Sequence, residues 1–314
     1  MSFLGIDVGG ANLKVAFNGG GRIIYFPMWK MADKLETTLI ELSKEYRVEK
    51  AGVVMTAELS DVFESKEDGV RYIADACCRA FDEVYFLDIH GNLRKSVDSP
   101  SDFAASNWIA STVFLMSEGY RNFLFVDMGS TTTDIIPVTD KINASKTDFE
   151  RLTRGEMIYF GILRTPVFYV LQEFKGTPLC PEFFSITADV FRITGDIGED
   201  VYTCETPDGK DRDVVSCMRR LARTICCDLE EIGEEKVKEL AFMAKESMKN
   251  RLKKVLGDKI GRIDVVLACG IGEFLIKDAC DEMGVECRLL SELYGEYSNL
   301  FPAFAMLRLV QKVQ

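Results

Sequence analysis

The sequence predicts an α/β protein built from two related lobes. Two glycine-rich segments in separate halves of the chain support this prediction: LGIDVGGANLKVAF at Leu4–Phe17 and FVDMGSTTTDIIPV at Phe125–Val138. Each has the pattern of a buried strand, a tight glycine turn and a second strand. Strands and helices alternate after each segment, and a length of 314 residues suits two domains. We therefore expect a duplicated fold with a cleft between its halves.

The first half has the alternating pattern of a lobe spanning residues 1–119. Apolar runs predict strands at 3–8, 13–17, 22–28, 51–59 and 83–91, of which 51–59 runs into a loop. Helical periodicity predicts helices at 33–47, 67–81 and 101–118. The first of these helices carries Leu35, Leu39 and Leu42 on one face, so that face should be buried.

The second half, residues 120–314, opens with the same strand, turn and strand pattern. A stretch at about 155–213 follows that contains several prolines and glycines yet is apolar enough to be ordered, so we interpret it as an insertion that shapes a substrate pocket. Further along, the pattern predicts helices at 214–232 and 234–256, a strand at 263–270, a helix ending at 282, a strand at 285–289 and a helix at 302–312. We expect the last helix to pack on the first lobe.

Composition argues against several classes of function. A net charge of −12, spread without long acidic blocks, opposes binding to nucleic acid or to an anionic membrane. Ten cysteines without a CxxC motif, and His90 as the one histidine, oppose a zinc or iron–sulfur site and favour buried thiols in a reducing compartment. The chain enters a strand at its start and has no apolar run long enough to span a membrane, so we expect a cytoplasmic protein.

The first glycine turn has the residues of a phosphate site. Asp7 precedes Gly9 and Gly10, whose missing side chains let a phosphoryl group approach the backbone. The Asp7 carboxylate is suited to hold a hydrated Mg²⁺, and Asn12 and Lys14 follow on the returning strand. A plain hairpin, in which these residues serve only the turn, is the alternative.

The second turn strengthens the phosphate interpretation. Asp127 precedes it, and Asp134 follows it. Between them, hydroxyl groups and backbone amides crowd one tip, formed by Gly129, Ser130, Thr131, Thr132 and Thr133. Such an arrangement is costly unless an anion or a metal satisfies it, although a hydroxyl-rich turn can also satisfy itself.

Both segments resemble the paired phosphate motifs of the actin, sugar kinase and Hsp70 superfamily. The resemblance implies a two-domain, actin-like ATPase (ribonuclease H-like) fold with an interdomain cleft. A third turn of that superfamily contacts adenosine, and VVLACGIGEFL at Val265–Leu275 stands at the corresponding place. There Ile271 separates Gly270 from Gly272, whereas contiguous glycines are typical. The acidic GSTTTD loop is most similar to the hydantoinase A and oxoprolinase branch.

A closer resemblance covers nearly the whole chain. The motifs that carry it are YFPMWK (25–30), TAELSD (56–61), ASNW (105–108), DMGSTTTDIIP (127–137), LRTP (163–166), ITADV (186–190) and YTCETPDG (202–209). They resemble archaeal and methylotroph proteins linked to tetrahydromethanopterin-dependent one-carbon transfer, a family that includes an ether synthase of methanofuran biosynthesis. The implied reaction joins the phenol of gamma-glutamyltyramine to an aminomethylfuran-methyl diphosphate and releases diphosphate.

This activity suggests a role for each candidate residue. Asp7 and Asp127 organise Mg²⁺, the glycine turns hold the diphosphate, and Asp134 takes the phenol proton, with Glu58 and Asp61 as further candidate bases. The remaining candidates, each with a structural alternative, contact the substrates: Lys14, Lys30 and Arg164 through charge, Trp29 and Trp108 by stacking, Asn107 by hydrogen bonding, and Asp189 or Asp208 by pairing with the aminomethyl cation.

Two other functions remain open from the sequence. An ATP-dependent small-molecule kinase, similar to the pantothenate kinases of the superfamily, would need ATP and an intact adenosine site, and the separated glycines count against it. The second of these functions is that of a nucleotide-sensing protein without turnover. In each case we expect small-molecule partners, no nucleic acid and no membrane. The sequence leaves the oligomeric state open, a homodimer included.

Overall fold

A computed structural model describes residues 2–313. Its contacts divide the chain into two compact units. The first unit runs up to Arg121 and also includes Val138–Arg151 and the chain from Leu290 onward, and the second comprises Asn122–Pro137 and Leu152–Leu289. The predicted lobes were residues 1–119 and 120–314, which placed residues 138–151 in the second half. In the structure the contacts of residues 138–151 are with the first unit. Residues 1 and 314 lie outside the described residues.

A six-stranded sheet in the order β3-β2-β1-β4-β5-β6 forms the centre of the first unit. Its strands are β1 (Phe3–Val8), β2 (Asn12–Phe17), β3 (Gly20–Tyr25), β4 (Lys50–Met55), β5 (Val84–Leu87) and β6 (Leu93–Arg94). Strands β1, β4 and β5 are parallel, and β2, β3 and β6 are antiparallel to their neighbours. The near-continuous apolar runs of β1 and β4 follow from this topology, because central parallel strands are covered on both faces.

Among the described residues, six helices and three 3-10 turns complete the first unit. The helices are α1 (Met28–Met31), α2 (Leu35–Tyr46), α3 (Lys66–Ala80), α4 (Asn107–Ser117) and, after the second unit, α12 (Leu290–Tyr294) and α13 (Phe301–Gln311), of which α12 is a single short turn. The 3-10 turns are Ala32–Lys34, Pro100–Asp102 and Gly295–Leu300. Helix α2 buries Leu35, Leu39 and Leu42, as its periodicity predicts. Ser65 caps α3 by accepting a hydrogen bond from the Asp68 amide.

Helix α13 covers the face of the central strands β1 and β4. At Gly5 in β1, a Cβ atom would lie 1.9 Å from the Ala303 carbonyl oxygen, and at Gly52 in β4 it would lie 3.0 Å from that of Met306. Both strands therefore need a glycine where the helix backbone passes. The last helix of the chain thus completes the core of the unit that contains the first strand.

The second unit is built on a five-stranded sheet in the order β13-β12-β7-β8-β9. These strands are β7 (Phe123–Met128), β8 (Thr133–Val138), β9 (Met157–Ile158), β12 (Val265–Cys269) and β13 (Cys287–Leu289), and a separate hairpin is formed by β10 (Glu173–Phe174) and β11 (Thr177–Pro178). Strands β7, β12 and β13 are parallel, and β9 is antiparallel to β8. Each unit therefore has its own sheet and its own hydrophobic core.

Helices flank the second sheet and the hairpin. They are α6 (Val167–Val170), α7 (Thr187–Thr194), α8 (Val214–Arg223), α9 (Leu229–Ile232), α10 (Glu234–Gly257) and α11 (Glu273–Met283), while α5 (Asp148–Arg154) lies where the chain passes from the first unit to the second. The predicted helix at 214–232 is wrong as one element. It breaks at Cys226, whose φ of 58° is left-handed, and restarts where Asp228 caps α9 by accepting from the Glu231 amide.

Two other predictions differ from the structure in detail. The predicted strand at 22–28 ends at Tyr25, because Pro27 leads into α1. The predicted helix at 101–118 begins only at Asn107, after the 3-10 turn Pro100–Asp102 and a positive φ of 49° at Ala105. The segment at 51–59, predicted as a strand that runs into a loop, leaves the strand at Met55, and Glu58 lies in the loop as expected.

Candidate functional site

The first glycine turn connects β1 to β2. Asp7 is the penultimate residue of β1, it is buried, and it pairs across the hairpin with Lys14, whose Nζ lies 3.8 Å from Asp7 Oδ2. The Gly9 N–H donates to the Asn12 carbonyl at 3.0 Å and closes the turn. A Cβ atom on Gly9 would lie 2.9 Å from that same oxygen, so the turn requires glycine there.

The carbonyl groups of this turn are engaged by the chain that follows β3. The Phe26 N–H donates to the Ala11 carbonyl and the Met28 N–H to the Gly10 carbonyl, both at 2.9 Å. Within residues 2–313, no group accepts a hydrogen bond from the amides of Gly10 and Ala11. The turn therefore presents donors rather than acceptors at its tip, which is the polarity that an anion needs.

The same contacts place two predicted substrate residues near the first turn. Trp29 and Lys30 follow Met28 in α1, whose first residue is bonded to Gly10. Trp29 is half-buried and Lys30 is exposed. Lys30 is thus an exposed cation on the segment bonded to the first turn, and its contact with a phosphate stays a prediction.

The carboxyl end of β4 lies beside that of β1. The Thr56 N–H donates to the Val8 carbonyl at 2.9 Å, and the Ser106 N–H donates to the Met55 carbonyl at 3.3 Å. Ligand sites in parallel sheets form at this edge, outside the carboxyl ends of the strands. The loop after β4 and the start of α4 therefore share one edge with the first turn.

Asn107 and Trp108, at the start of α4, have local roles that correct the prediction of substrate contacts. Asn107 Oδ1 accepts a hydrogen bond from the Trp108 N–H at 2.8 Å. The Trp108 side chain is buried, and the Arg151 guanidinium lies 4.8 Å from its ring centre, so a protein cation already occupies a ring face. Stacking of a substrate ring on Trp108 would require Arg151 to move.

Glu58 and Asp61, the further candidate bases, differ in environment. Glu58 is buried with 1% of its surface exposed, and burial raises the pKa of its carboxyl to about 7. Asp61 is exposed, three residues further along the same loop. The raised pKa of Glu58 is typical of functional carboxylates.

The second glycine turn, between β7 and β8, repeats the hydrogen bond of the first. The Gly129 N–H donates to the Thr132 carbonyl at 3.0 Å, as the Gly9 N–H does to that of Asn12. Asp127 is the penultimate residue of β7, which is the position of Asp7 in β1. Both turns thus place one buried carboxylate immediately before a turn of the same form.

The segment at 161–164, of which the sequence analysis named only the LRTP end, supports this second turn. The Ile162 N–H donates to the Gly129 carbonyl, and the N–H groups of Leu163 and Arg164 both donate to the Ser130 carbonyl, all at 3.0 Å. At Gly161 a Cβ atom would lie 2.5 Å from Ser130 C and Thr131 N, so this segment also needs glycine. Along the described chain, the amides of Ser130 and Thr131 have no acceptor.

The side chains around the second turn divide into two groups. Thr131 Oγ1 lies 3.4 Å from Ser130 Oγ and 3.4 Å from Arg164 Nη1, which agrees with the charged role predicted for Arg164. Thr133 is fully buried, and its hydroxyl donates to the Phe160 carbonyl at 2.9 Å, so the prediction that it contacts phosphate is wrong for this side chain. Asp134 is buried and lies opposite Met157 in the β8–β9 ladder.

The third turn packs against the end of β7. At Gly270, with φ 88°, a Cβ atom would lie 2.6 Å from Asp127 Oδ1, and at Gly272 it would lie 2.4 Å from the Met128 side chain. The Gly272 N–H donates to the Met128 carbonyl at 3.0 Å. Both glycines are therefore required for close packing around Asp127, which explains them without a nucleotide.

Asp189 and Asp208 form an internal network instead of a substrate contact. Asp189 is fully buried and accepts from Arg220 Nη2 at 2.7 Å, Tyr202 Oη at 2.9 Å and Ser185 Oγ at 2.8 Å. Arg220 also donates to Asp208 Oδ1 at 3.0 Å. The prediction that either carboxylate pairs with an aminomethyl cation is therefore wrong, because Arg220 pairs with both and Arg223 also pairs with Asp208.

Arg220 carried a signal that the prediction missed. It lies on α8 between Cys217 and Leu221, on the buried face of a helix whose other arginines are exposed (Arg219) or half-buried (Arg223). An arginine on an apolar helix face requires a buried acid.

The predicted Mg²⁺ site can be assessed from the carboxylate groups that could act as ligands. Among residues 2–313 no group of three or more histidine, cysteine, aspartate or glutamate side chains is placed to hold a metal ion. Mg²⁺ commonly keeps most of its waters and uses one or two carboxylates together with substrate phosphates. Asp7 and Asp127, each beside a turn with unbonded amides, fit that mode of binding.

The two sheets and the repeated turns define a protein with the actin-like ATPase fold, and a known structure supports this class. The nucleotide-free structure of acetone carboxylase aligns with a TM-score of 0.58 at 10% identity, covering 97% of this chain and 70% of that chain. The predicted two-domain α/β fold of the actin-like class is thus confirmed. The Hydantoinase/oxoprolinase family model matches residues 49–310, and the chain belongs to that family.

Two curated relatives carry the same name, (4-{4-[2-(gamma-L-glutamylamino)ethyl]phenoxymethyl}furan-2-yl)methanamine synthase. The protein from Methanocaldococcus jannaschii is 40% identical over 98% of this chain and 97% of its own length. The protein from Methanococcus vannielii is 36% identical over 59% of this chain and 89% of its own length. The family resemblance drawn from the motifs is confirmed, and the chain is an enzyme of this family.

Proposed function

We propose that this enzyme forms the aryl ether that its relatives' name describes, from gamma-glutamyltyramine and an aminomethylfuran-methyl diphosphate. Identity of 40% along 98% of the chain is the observation that supports this most strongly. The two glycine turns support it independently, because each offers unbonded amides to an anion such as diphosphate.

The proposed reaction is a substitution at the methylene carbon on the furan ring. The bond from this carbon to the diphosphate oxygen breaks, and its electron pair leaves with the diphosphate. The phenol oxygen forms the new bond to the same carbon, and the phenol proton passes to a base. Because the furan oxygen stabilises positive charge on the methylene carbon, stabilisation of the leaving group is the main task of the protein.

Each turn would offer donors to a phosphate group of the diphosphate, on which negative charge develops. The donors are the amides of Gly10 and Ala11 at the first turn, and the amides of Ser130 and Thr131 with the Arg164 guanidinium at the second. Asp7 and Asp127 are the residues that would hold Mg²⁺, which supplies further positive charge to the leaving group when bound. Lys14, next to Asp7, adds a protein cation at the first turn.

Asp134 is the proposed base for the phenol proton. It is a buried carboxylate two residues beyond Thr132, on the strand that leaves the second turn. With His90 the one histidine in the chain, a carboxylate is the expected acid–base group.

The test is incubation of the purified protein with both substrates and Mg²⁺, followed by mass spectrometry. The expected products are the ether and one equivalent of diphosphate. Formation of a phosphorylated product from ATP, with no ether from the furan diphosphate, would contradict the proposal and support the kinase.

Calorimetric titration separates the alternatives without turnover. We expect pyrophosphate with Mg²⁺ to bind more tightly than ATP with Mg²⁺, because the third turn is filled by packing against Asp127 and Met128. Tight ATP binding with weak pyrophosphate binding would instead favour a kinase or a nucleotide sensor.

A further inference from the structure

The segment at 161–165 connects the second glycine turn to the start of α7 through hydrogen bonds. Amides of this segment donate to carbonyl groups of the turn. Its own carbonyls are bound by the helix. The Thr187 N–H donates to the Thr165 carbonyl at 2.8 Å, and the Ala188 N–H donates to the Leu163 carbonyl at 3.2 Å. The turn, the segment and the helix start therefore form three successive hydrogen-bonded layers, all within the second unit.

The Thr187 hydroxyl joins the two ends of this segment. Its Oγ1 donates to the Gly161 carbonyl at 2.8 Å and accepts from the Thr165 N–H at 3.2 Å. Thr187 is fully buried, so water does not compete for either bond. A hydroxyl is suited to this place because it donates and accepts through one atom.

The Thr165 hydroxyl reinforces the same connection. Thr165 is buried, and its Oγ1 accepts from the Gly161 N–H at 2.9 Å. Two buried threonines thus hold Gly161, whose Cα packs directly against the backbone of Ser130 and Thr131. Because a close-packed interior transmits displacement, a shift of Gly161 would move the amides of the turn.

Arg164 is held by the same segment. Its N–H donates to the Ser130 carbonyl at 3.0 Å, and its Nη1 lies 3.4 Å from Thr131 Oγ1. The next residue is Thr165, whose amide is bonded to the Thr187 hydroxyl. The guanidinium and the unbonded amides of the second turn therefore depend on one segment, which Thr187 fixes at both ends.

We infer that Thr187 is a positioning residue for the diphosphate. It acts through the segment at 161–165 on the donors of the second turn, and its own side chain is buried away from solvent. This inference rests on the proposed function, since it requires the turn to bind the leaving diphosphate. It also gives a role to Thr187 within the ITADV motif, where the sequence pointed to Asp189.

The substitution Thr187→Val tests this role because it keeps the shape of the side chain and removes the hydroxyl. Among residues 2–313, the Thr165 N–H then has no acceptor, and the Gly161 carbonyl retains the longer contact of 3.4 Å from Thr165 Oγ1. We expect calorimetry on the full chain to show at least ~10-fold weaker binding of pyrophosphate with Mg²⁺, the effect of losing about one hydrogen bond to a charged group. Thr187→Ser keeps the hydroxyl and should retain most of the affinity.

Steady-state kinetics separates positioning from stability. A variant that is only less stable contains less folded enzyme, so its apparent kcat falls while neither KM changes. Thr187→Val should instead raise KM for the furan diphosphate at least ~10-fold and leave KM for gamma-glutamyltyramine unchanged. Thr165→Val, which removes the second hydroxyl, should show the same pattern and replaces Thr187→Val if that variant does not fold.

Thr224→Val is the matched control. Thr224 is also buried in the second unit, but its hydroxyl donates to the Leu221 carbonyl in the adjoining turn of α8. The variant loses a buried threonine hydroxyl that has no bond to the segment at 161–165, so it should bind pyrophosphate like the wild type. Circular dichroism checks the folding of each variant.

The outcomes for the inference and for the proposed reaction differ. Wild-type pyrophosphate affinity in Thr187→Val, or an equal loss in Thr224→Val, would overturn the inference and leave the reaction intact. A wild-type protein that binds no pyrophosphate would also overturn the inference, and ether formation would then decide the reaction separately. Weaker pyrophosphate binding by Thr187→Val, in a protein that forms no ether, would retain the inference and reject the proposed reaction.

Discussion

Asp134 is the residue on which the proposed proton transfer depends. The change Asp134→Asn keeps the size of a buried side chain and removes its basicity, so kcat should fall by at least ~100-fold, a typical contribution of acid–base catalysis. Steady-state assay of ether formation measures the effect. The matched change Asp140→Asn, at an exposed position near the end of the same hairpin arm, should leave kcat unchanged. Wild-type rates in Asp134→Asn would remove this residue from the mechanism.

Asp189 stabilises the second unit and does not contact a substrate. Its carboxylate and the Arg220 guanidinium are both fully buried, and Asp189→Asn would leave the guanidinium without its main counter-charge. We expect the free energy of unfolding to fall by about 3 kcal/mol. Urea denaturation measures this loss, and an unchanged midpoint would contradict the structural role. The exposed pair Lys238–Glu235 is the control, since Glu235→Gln should change stability by less than about 0.5 kcal/mol.

The sequence identified those site residues whose role depends on residues close to them in the chain. In both glycine turns the closing hydrogen bond spans three residues, so DVGGAN and DMGSTT can be interpreted locally. Thr133 and Asp189 were misassigned because their partners lie 27 and 31 residues away, at Phe160 and Arg220. Local patterns carry no information about which distant group satisfies a buried polar atom.

Among the elements, the segment at 161–164 fixes the shape of the second turn. A methyl group at Gly161 would overlap the backbone of Ser130 and Thr131, so Gly161→Ala should displace the turn. We expect at least ~10-fold weaker pyrophosphate binding by calorimetry, a loss of about 1.4 kcal/mol.

A second glycine provides the control for this change. Gly261 has open space around its Cα and no left-handed φ, so Gly261→Ala should bind pyrophosphate like the wild type. If Gly161→Ala also bound like the wild type, the segment at 161–164 would have no part in shaping an anion site.

The order of strands and helices could be predicted because buried strands and amphipathic helices differ in apolar period. The first and last residues of these elements could be predicted less well. The break between α8 and α9 depends on a left-handed Cys226 and a cap at Asp228, neither of which interrupts the charged pattern of 214–232. Likewise, α1 begins after Pro27 because its first amide bonds to Gly10, a contact between separate segments.

At the scale of the whole molecule, each unit holds one of the two glycine turns and has a separate core. No helix among residues 2–313 is both long and apolar enough to cross a membrane. The same turn occurs in both sheets, and this repetition is what made the duplication predictable from the sequence. What the repetition did not predict is the return of residues 138–151 to the first unit.

Helix α13 provides a prediction for the whole chain. Ending the protein at Leu300 removes the buried side chains Phe301, Met306, Leu307 and Val310. At roughly 2 kcal/mol each, their loss approaches the total stability of a typical domain, so the first unit should not fold. Limited proteolysis and binding of a hydrophobic dye measure this. Ending the chain at Gln311, where α13 stops, should have no such effect, and resistance of the shorter protein to protease would contradict the prediction.

The position of α13 also constrains how the protein is made in the cell. Strand β1 leaves the ribosome well before the helix that shields it, with the entire second unit emerging between them. During synthesis the nascent first unit must keep an uncovered apolar sheet face in water. A chaperone that holds such chains should therefore associate with this one until α13 has emerged.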